Sequence, residues 1–263
     1  MLAIKKFIVR VVRKILLQFG YDLKWIRDNG NTKYPQDYSE ENIEIIEKVK
    51  AKTKTNQNRI NALINAVKYI NTNNIPGAMV ECGVWKGGSI MAMALTLNLV
   101  KEQTREIYLY DTFSGMTEPG DIDICTLTGE SVIKKYQESK VSNSLSTWSY
   151  SPLEQVKENV FSTQYPKSLF KFVEGKVEET IPGTLPDKIA ILRLDTDWYE
   201  STKHELEHLY PLLVENGVLI IDDYGHYEGA KLAVDEYIAE NNLCIFLNRV
   251  DYSCRLAIKT NKS

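Results

Sequence analysis

From residue 78 onward, short apolar runs alternate with stretches at helical spacing, and no other feature constrains the fold as much. The runs at 78–82, 106–111, 169–174, 189–195, 217–222, 244–248 and 254–258 read as strands. Helices are predicted over 88–102, 151–163, 200–213 and 228–240. A strand that reaches the next one only through a helix lies parallel to it, so the pattern predicts an α/β chain. Its seven-stranded, mostly parallel sheet would be covered by helices on both faces. Only residues 249–253 separate the last two runs, too few for a crossover, which predicts a C-terminal antiparallel hairpin at the sheet edge.

Two further helices, 40–51 and 56–73, precede the alternation, behind a polar linker at 28–39. Residues 115–150 break the pattern with Gly, Pro, Ser, Thr and scattered acids, and are expected to form a lid loop. The division expected is a basic amphipathic helix at 1–27, a linker and helical cap at 28–77, and the main domain at 78–263.

Charge narrows the function. Thirty-two basic against 35 acidic residues leave −3, which argues against a nucleic-acid partner. Cys82, Cys125, Cys244 and Cys254 form no C-x-x-C pair, and His204, His208 and His226 all fall in the last quarter, so a Cys/His zinc site is not expected. No run of 18 apolar residues could span a membrane.

The first 27 residues stand apart. Seven basic groups (Lys5, Lys6, Arg10, Arg13, Lys14, Lys24, Arg27) accompany one acid, Asp22. At 100° per residue, Ile4, Ile8, Val11, Val12, Ile15 and Phe19 share one face. Such a helix packs on its own domain or on a second copy as a homo-oligomer contact. Its alternative is an anionic membrane surface. Basic residues interrupt the apolar run and no small-residue cleavage site follows, so a cleaved signal is not expected. The expected location is cytoplasmic, with peripheral contact at the inner face of the membrane as the variant.

The chemistry-bearing residues sit at strand ends. The first strand runs into Glu81-Cys82-Gly83-Val84-Trp85-Lys86-Gly87-Gly88-Ser89, glycines that let backbone N–H groups approach a ligand closely. This is not G-x-G-x-x-G, so a dinucleotide is not indicated. The second strand ends at Asp111, placed to accept hydrogen bonds from ribose hydroxyls, and continues as Thr112-Phe113-Ser114-Gly115. Two later strands end in Asp195-Thr196-Asp197 and Asp222-Asp223. Carboxylates gathered there would repel unless a divalent cation neutralised them. With oxygen ligands only, Mg2+ is expected first, then Mn2+ or Ca2+. His204 and His208, at i and i+4, lack metal-binding companions and read as surface residues.

These segments, together with Trp198-Tyr199-Glu200-Ser201-Thr202 and Tyr224, resemble the macrocin O-methyltransferase family, which includes the sugar methyltransferase of novobiocin biosynthesis. The similarity spans roughly residues 40–258 in motif order. It implies a Rossmann-like class I methyltransferase fold and Mg-dependent methyl transfer from S-adenosylmethionine to a sugar hydroxyl of a glycan or glycosylated metabolite. By position it implies Asp195, Asp222 and Asp223 as metal ligands, and Asp195 and Asp197 as catalytic, with Asp197 matching a general base. It implies cofactor contacts from Glu81, Cys82, Gly83, Val84, Gly87, Gly88 and Ser89 at the methionine end, and from Asp111 at the ribose. Thr112, Phe113, Ser114 and Gly175 would face the adenosine side, with Asp195 close by. Thr196 stands where the family more often has Gly. The alternatives are a metal-dependent glycosyltransferase using Asp195-x-Asp197 and a non-catalytic membrane-surface adaptor.

Overall fold

The structure is a computed structural model, which describes Val12 and residues 34–142 and 144–260. The amphipathic helix expected at 1–27 lies outside the described residues apart from Val12. The chain divides into two compact units, 1–38 and 39–263. In the first, the Tyr34 and Tyr38 rings stack with centroids 6.2 Å apart.

The second unit is built on one seven-stranded sheet. Its strands are β1 (Ala78–Cys82), β2 (Ile107–Asp111), β7 (Phe170–Glu174), β8 (Ile189–Leu194), β9 (Leu213–Ile221), β10 (Asn248–Arg249) and β11 (Arg255–Ile258), in the order β10-β11-β9-β8-β1-β2-β7. β7, β2, β1, β8 and β9 are mutually parallel, while β11 runs antiparallel to β9 and to β10. The central strands AMVEC and IAILRL are buried at every position because helices cover both faces. Strand order reverses outward from β1, with β2 on one side and β8 on the other. Their carboxyl ends therefore open a crevice at that point.

The helices are α1 (Glu40–Val49), α2 (Gln57–Thr72), α3 (Gly88–Leu99), α5 (Leu153–Phe161), α6 (Val177–Thr180), α7 (Tyr199–Leu209) and α8 (Glu228–Glu240). Ser39 caps α1 by accepting from the Asn42 N–H, and Asn56 caps α2 by accepting from the N–H groups of Asn58 and Arg59. Both helices bury apolar stripes and belong to the same unit as the sheet.

Three expectations differ from what is observed. The 115–150 segment is not one irregular loop. It holds the hairpin β3 (Ile124–Cys125) and β4 (Glu130–Ser131), helix α4 (Ile133–Ser139), and the pair β5 (Lys140–Ser142) and β6 (Leu145–Ser146). Elements this short bury little apolar surface and leave no periodic signature. Residues 244–247 are not strand: β10 is only Asn248–Arg249, and Phe246 is 83% exposed. The helix predicted to reach 213 stops at Leu209, where a 3-10 turn containing Pro211 takes the chain into β9 at Leu213.

Candidate active site

A cavity of about 340 Å³ opens at the carboxyl ends of β1, β2, β8 and β9. Its cofactor side begins with the turn after β1. Gly83 has φ +85, and a Cβ there would stand 1.9 Å from the carbonyl oxygen of Asp195. Only glycine allows this close approach, so the β1 turn and the β8 turn touch backbone to backbone. Hydrogen bonds from Gly83 N–H to Tyr110 O and from Asp195 N–H to Cys82 O, both 2.9 Å, complete the seam.

Asp111 organises the same turn. Its Oδ2 accepts from the N–H groups of Val84 (2.6 Å) and Trp85 (2.9 Å), and its Oδ1 from Phe113 N–H (2.7 Å). Burial raises its pKa, and these three donors oppose the rise. Lone pairs remain on Oδ1, and the residue lines the cavity, as do Glu81, Gly83, Val84, Ser89, Thr112, Gly175 and Asp195. Five expected cofactor residues sit behind that lining. Cys82 is fully buried in the core, Gly87 packs near Val156 and Val160, and Gly88 abuts the Lys52 carbonyl. Phe113 is buried against Phe172, and the Ser114 carbonyl accepts from Ser146 N–H.

Beneath the carboxylates lies Arg193, which the strand pattern gives no reason to single out. Its guanidinium is 1% exposed and meets three acids: Glu81, Asp195 Oδ2 at 2.6 Å and Asp222 Oδ1 at 2.6 Å. It also donates to Thr55 Oγ1 at 2.9 Å. Arg59, from the first turn of α2, pairs with Asp222 and with Asp251 (2.7 Å), and lies over the Tyr252 ring. The cap thus supplies part of the site wall. Burial pushes Glu81 up to about 7 despite Arg193, and Glu81 Oε2 is buried with no hydrogen-bond partner.

The group of carboxylates that the fold assembles is Asp195, Asp197 and Asp223, each offering one oxygen within 4.8 Å of the others. Asp222, expected with Asp195 and Asp223 to hold a metal, lines the same cavity with its carboxylate paired to the guanidiniums of Arg59 and Arg193. Asp195 and Asp197 do meet, though through a left-handed turn (Asp197 φ +72) rather than an extended segment. The turn is pinned on each side. Thr196 Oγ1 donates to Glu205 Oε1 (2.9 Å), Trp198 Nε1 donates to Thr117 O (3.0 Å), and the Trp198 ring lies between Trp148 and Tyr227.

Burial and mutual repulsion raise the pKa of Asp195 and of Asp223, and push Asp197 up to about 7. The buried Asp223 Oδ2 has no hydrogen-bond partner. His204 and His208 lie outside the cavity lining, whereas His226 lines it together with Tyr227 and Tyr252.

Residues 31–257 match the profile of the macrocin-O-methyltransferase (TylF) family. The chain belongs to this family. It is 30% identical over 76% of its length, and 73% of the relative's, to an 8-demethyl-8-(2,3-dimethoxy-alpha-L-rhamnosyl)-tetracenomycin-C 4'-O-methyltransferase of Streptomyces olivaceus. A demethyldecarbamoylnovobiocin O-methyltransferase of Streptomyces niveus is 30% identical, covering 73% of this chain and 70% of its own. Among solved structures, the O-methyltransferase NovP superposes with a TM-score of 0.70 at 25% identity, over 97% of this chain and 99% of that one. The calicheamicin methyltransferase CalS11, at TM-score 0.55 and 16% identity over 90% and 98%, shares the fold. This macrocin-family chain is therefore an S-adenosylmethionine-dependent O-methyltransferase with the Rossmann-like class I fold. The glycosyltransferase and non-catalytic adaptor alternatives fall away.

Proposed function

We propose that this macrocin-family enzyme methylates a hydroxyl of a sugar-containing acceptor with the help of a divalent cation, Mg2+ or Mn2+. The acceptor class follows the names of the relatives, one of which is a methyltransferase of a rhamnosyl-tetracenomycin and another of demethyldecarbamoylnovobiocin. One observation carries the cation. Three carboxylates from two strand ends converge within 4.8 Å, in the same cavity as the β1 turn, with a buried Asp223 oxygen lacking any partner. An all-oxygen donor set of this kind fits a hard cation, so Asp195, Asp197 and Asp223 would hold it. When bound, the cation would lower the pKa of a sugar hydroxyl and fix its orientation.

The chain's own residues do the rest. The Glu81–Ser89 turn and Asp111 would position the donor so that its methyl faces the carboxylates across the Gly83–Asp195 seam. Asp197 takes the hydroxyl proton at a carboxylate oxygen as the new O–CH3 bond forms and the S–CH3 bond breaks, leaving S-adenosylhomocysteine. General-base assistance of this kind contributes typically ~10²–10⁴ in rate. Arg193 holds Glu81, Asp195 and Asp222 in place and opposes the rise that burial imposes on the pKa of Glu81 and Asp195. Lid and cap residues close the mouth and exclude water.

The test is transfer of labelled methyl from S-adenosylmethionine into sugar-containing acceptors, with and without EDTA, for the wild type and Asp223→Asn. Activity that needs added Mg2+ and is lost in the variant, while S-adenosylhomocysteine affinity stays within about threefold of the wild type, supports the reading. Full activity in EDTA refutes the cation.

A further inference from the structure

A buried acid with no part in the chemistry described so far lies in the lid. Asp123, just before β3, is 1% exposed. Its Oδ1 accepts from the Tyr199 N–H at 2.9 Å and its Oδ2 from the Gly120 N–H at 2.7 Å. Among the described residues no Lys or Arg pairs with it. A buried carboxylate without a cation must find its compensation in backbone dipoles, and its surroundings show which ones.

Tyr199 is the first residue of α7, and its own N-terminal flank, Trp198, gives that helix start no side-chain hydrogen bond. Tyr227 likewise gives none to the start of α8. Asp123 stands across both starts. It bonds the first N–H of α7, and it also fills the space over Gly229 in the first turn of α8, where a Cβ would stand 1.9 Å from its Oδ1. One lid carboxylate thus meets the positive ends of two helices. Each helix leads directly out of an acid segment: Tyr199 follows Asp197 closely, and Gly229 follows Asp223 within two turns of chain. Thr126 adds a second tie between the same parts. Its N–H donates to the His226 carbonyl at 2.9 Å and its Oγ1 to the Gly225 carbonyl at 2.6 Å, between Asp223 and α8.

We propose that Asp123 is a positioning residue that joins lid docking to assembly of the Asp195, Asp197 and Asp223 cluster. With Asp123 seated, the helix starts behind both acid segments are held by the same carboxylate, so the oxygens from two strand ends keep their mutual spacing. With the lid undocked, both starts lose that partner together. The linkage is reciprocal: whatever draws the three acids together also tightens the lid. The inference deepens the cation reading above and rests on it where Mg2+ is the probe. The competing role is a local one, in which Asp123 shapes only the turn at Gly120.

The experiment uses the full chain as wild type, Asp123→Ala, Asp123→Asn, Gly229→Ala and the Asp123→Ala/Gly229→Ala double variant. Gly229→Ala removes none of the groups named. Alanine is the better helix former, so α8 itself is favoured while the added methyl pushes the carboxylate off Tyr199. Amide hydrogen exchange is followed by mass spectrometry without metal, on peptides from the lid, from 195–199 and 222–229, and from β1 and β2 as controls. Calorimetry gives the affinities for Mg2+ and for S-adenosylhomocysteine. Loss of this buried charged hydrogen bond in Asp123→Ala should speed exchange on the order of tenfold in the lid and in both acid segments together, with the controls unchanged. Mg2+ affinity should fall roughly tenfold while S-adenosylhomocysteine affinity stays within about threefold. Gly229→Ala should reproduce these changes, and should add nothing once Asp123 is already Ala, because the clash is then gone. Asp123→Asn, which still accepts from Tyr199, should restore most of the wild-type behaviour. Faster exchange in the lid alone, with the acid segments at the wild-type rate, overturns the proposal and leaves Asp123 its local role. A Gly229→Ala variant like the wild type overturns it too, and that variant decides if Asp123→Ala fails to fold. If the wild type binds no Mg2+, the cation reading falls on its own, and exchange at the acid segments still decides this one.

Discussion

Replacing Arg193 with Met tests the electrostatic foundation of the site. The substitution keeps an unbranched side chain but removes a guanidinium that is 1% exposed and shared by Glu81, Asp195 and Asp222. Removing one partner of a buried ion pair costs about 3–5 kcal/mol, because the partner charge is left uncompensated. For a domain of this size each kcal/mol lowers Tm by about 2–4 °C, so a fall of roughly 10 °C or more is expected. The loss must also depend on pH. Glu81 and Asp195 already have folded-state pKa values raised above their unfolded ones, and without Arg193 they rise further. A carboxylate raised in the folded state binds more protons there than in the unfolded chain, so stability falls as pH rises from about 4 through the folded pKa. Urea unfolding of wild type and variant at pH 5 and pH 8 should therefore show a larger difference at pH 8. An equal loss at both values, or one below about 1 kcal/mol, would refute the reasoning.

Three further outcomes follow from the same geometry. Mg2+ affinity should rise between pH 6 and pH 8, because Asp197, with a pKa near 7, must shed protons to ligate; calorimetric titrations giving a flat profile would contradict this. Gly83→Ala combines a left-handed backbone cost of about 1–2 kcal/mol with a backbone clash at Asp195; a thermal melt should fall by several degrees and methyl transfer should collapse, and a variant with normal activity would disprove the seam. Glu205 is fully buried, its Oε2 lacks a partner, and burial raises its pKa well above the usual carboxylate range. Glu205→Gln keeps the oxygen that accepts from Thr196 and should gain stability over the wild type as pH rises, whereas Glu205→Leu and Thr196→Val should lower kcat alike; comparative melts at pH 5 and 8 with steady-state kinetics check both.

Much of this architecture is readable from the chain because its central strands are buried on both faces and end in acids. Runs such as 78–82 and 189–195 stand out as continuous apolar segments, and the carboxylates beyond them fall at one sheet edge by topology alone. The internal arrangement of those acids is not readable in the same way. Asp197 joins the cluster through a left-handed turn that no spacing rule anticipates, and Asp222 pairs with Arg59, 163 residues earlier, which reaches over from the cap. Arg193 looks like an interruption in a strand, and only three-dimensional convergence shows that it neutralises acids from three segments. The lid's small hairpins escape for a different reason: two-residue strands carry no periodicity.

The contact between Gly83 and Asp195 has a wider consequence. It welds the β1 turn to the acid turn through main-chain atoms, so the spacing of the two turns is not adjustable by exchanging side chains. Diversification toward new acceptors is then left to other borders of the cavity, the stretch around Lys54 and the insert that carries Lys135. Attempts to redirect this enzyme would gain most from varying those two borders and leaving the weld untouched.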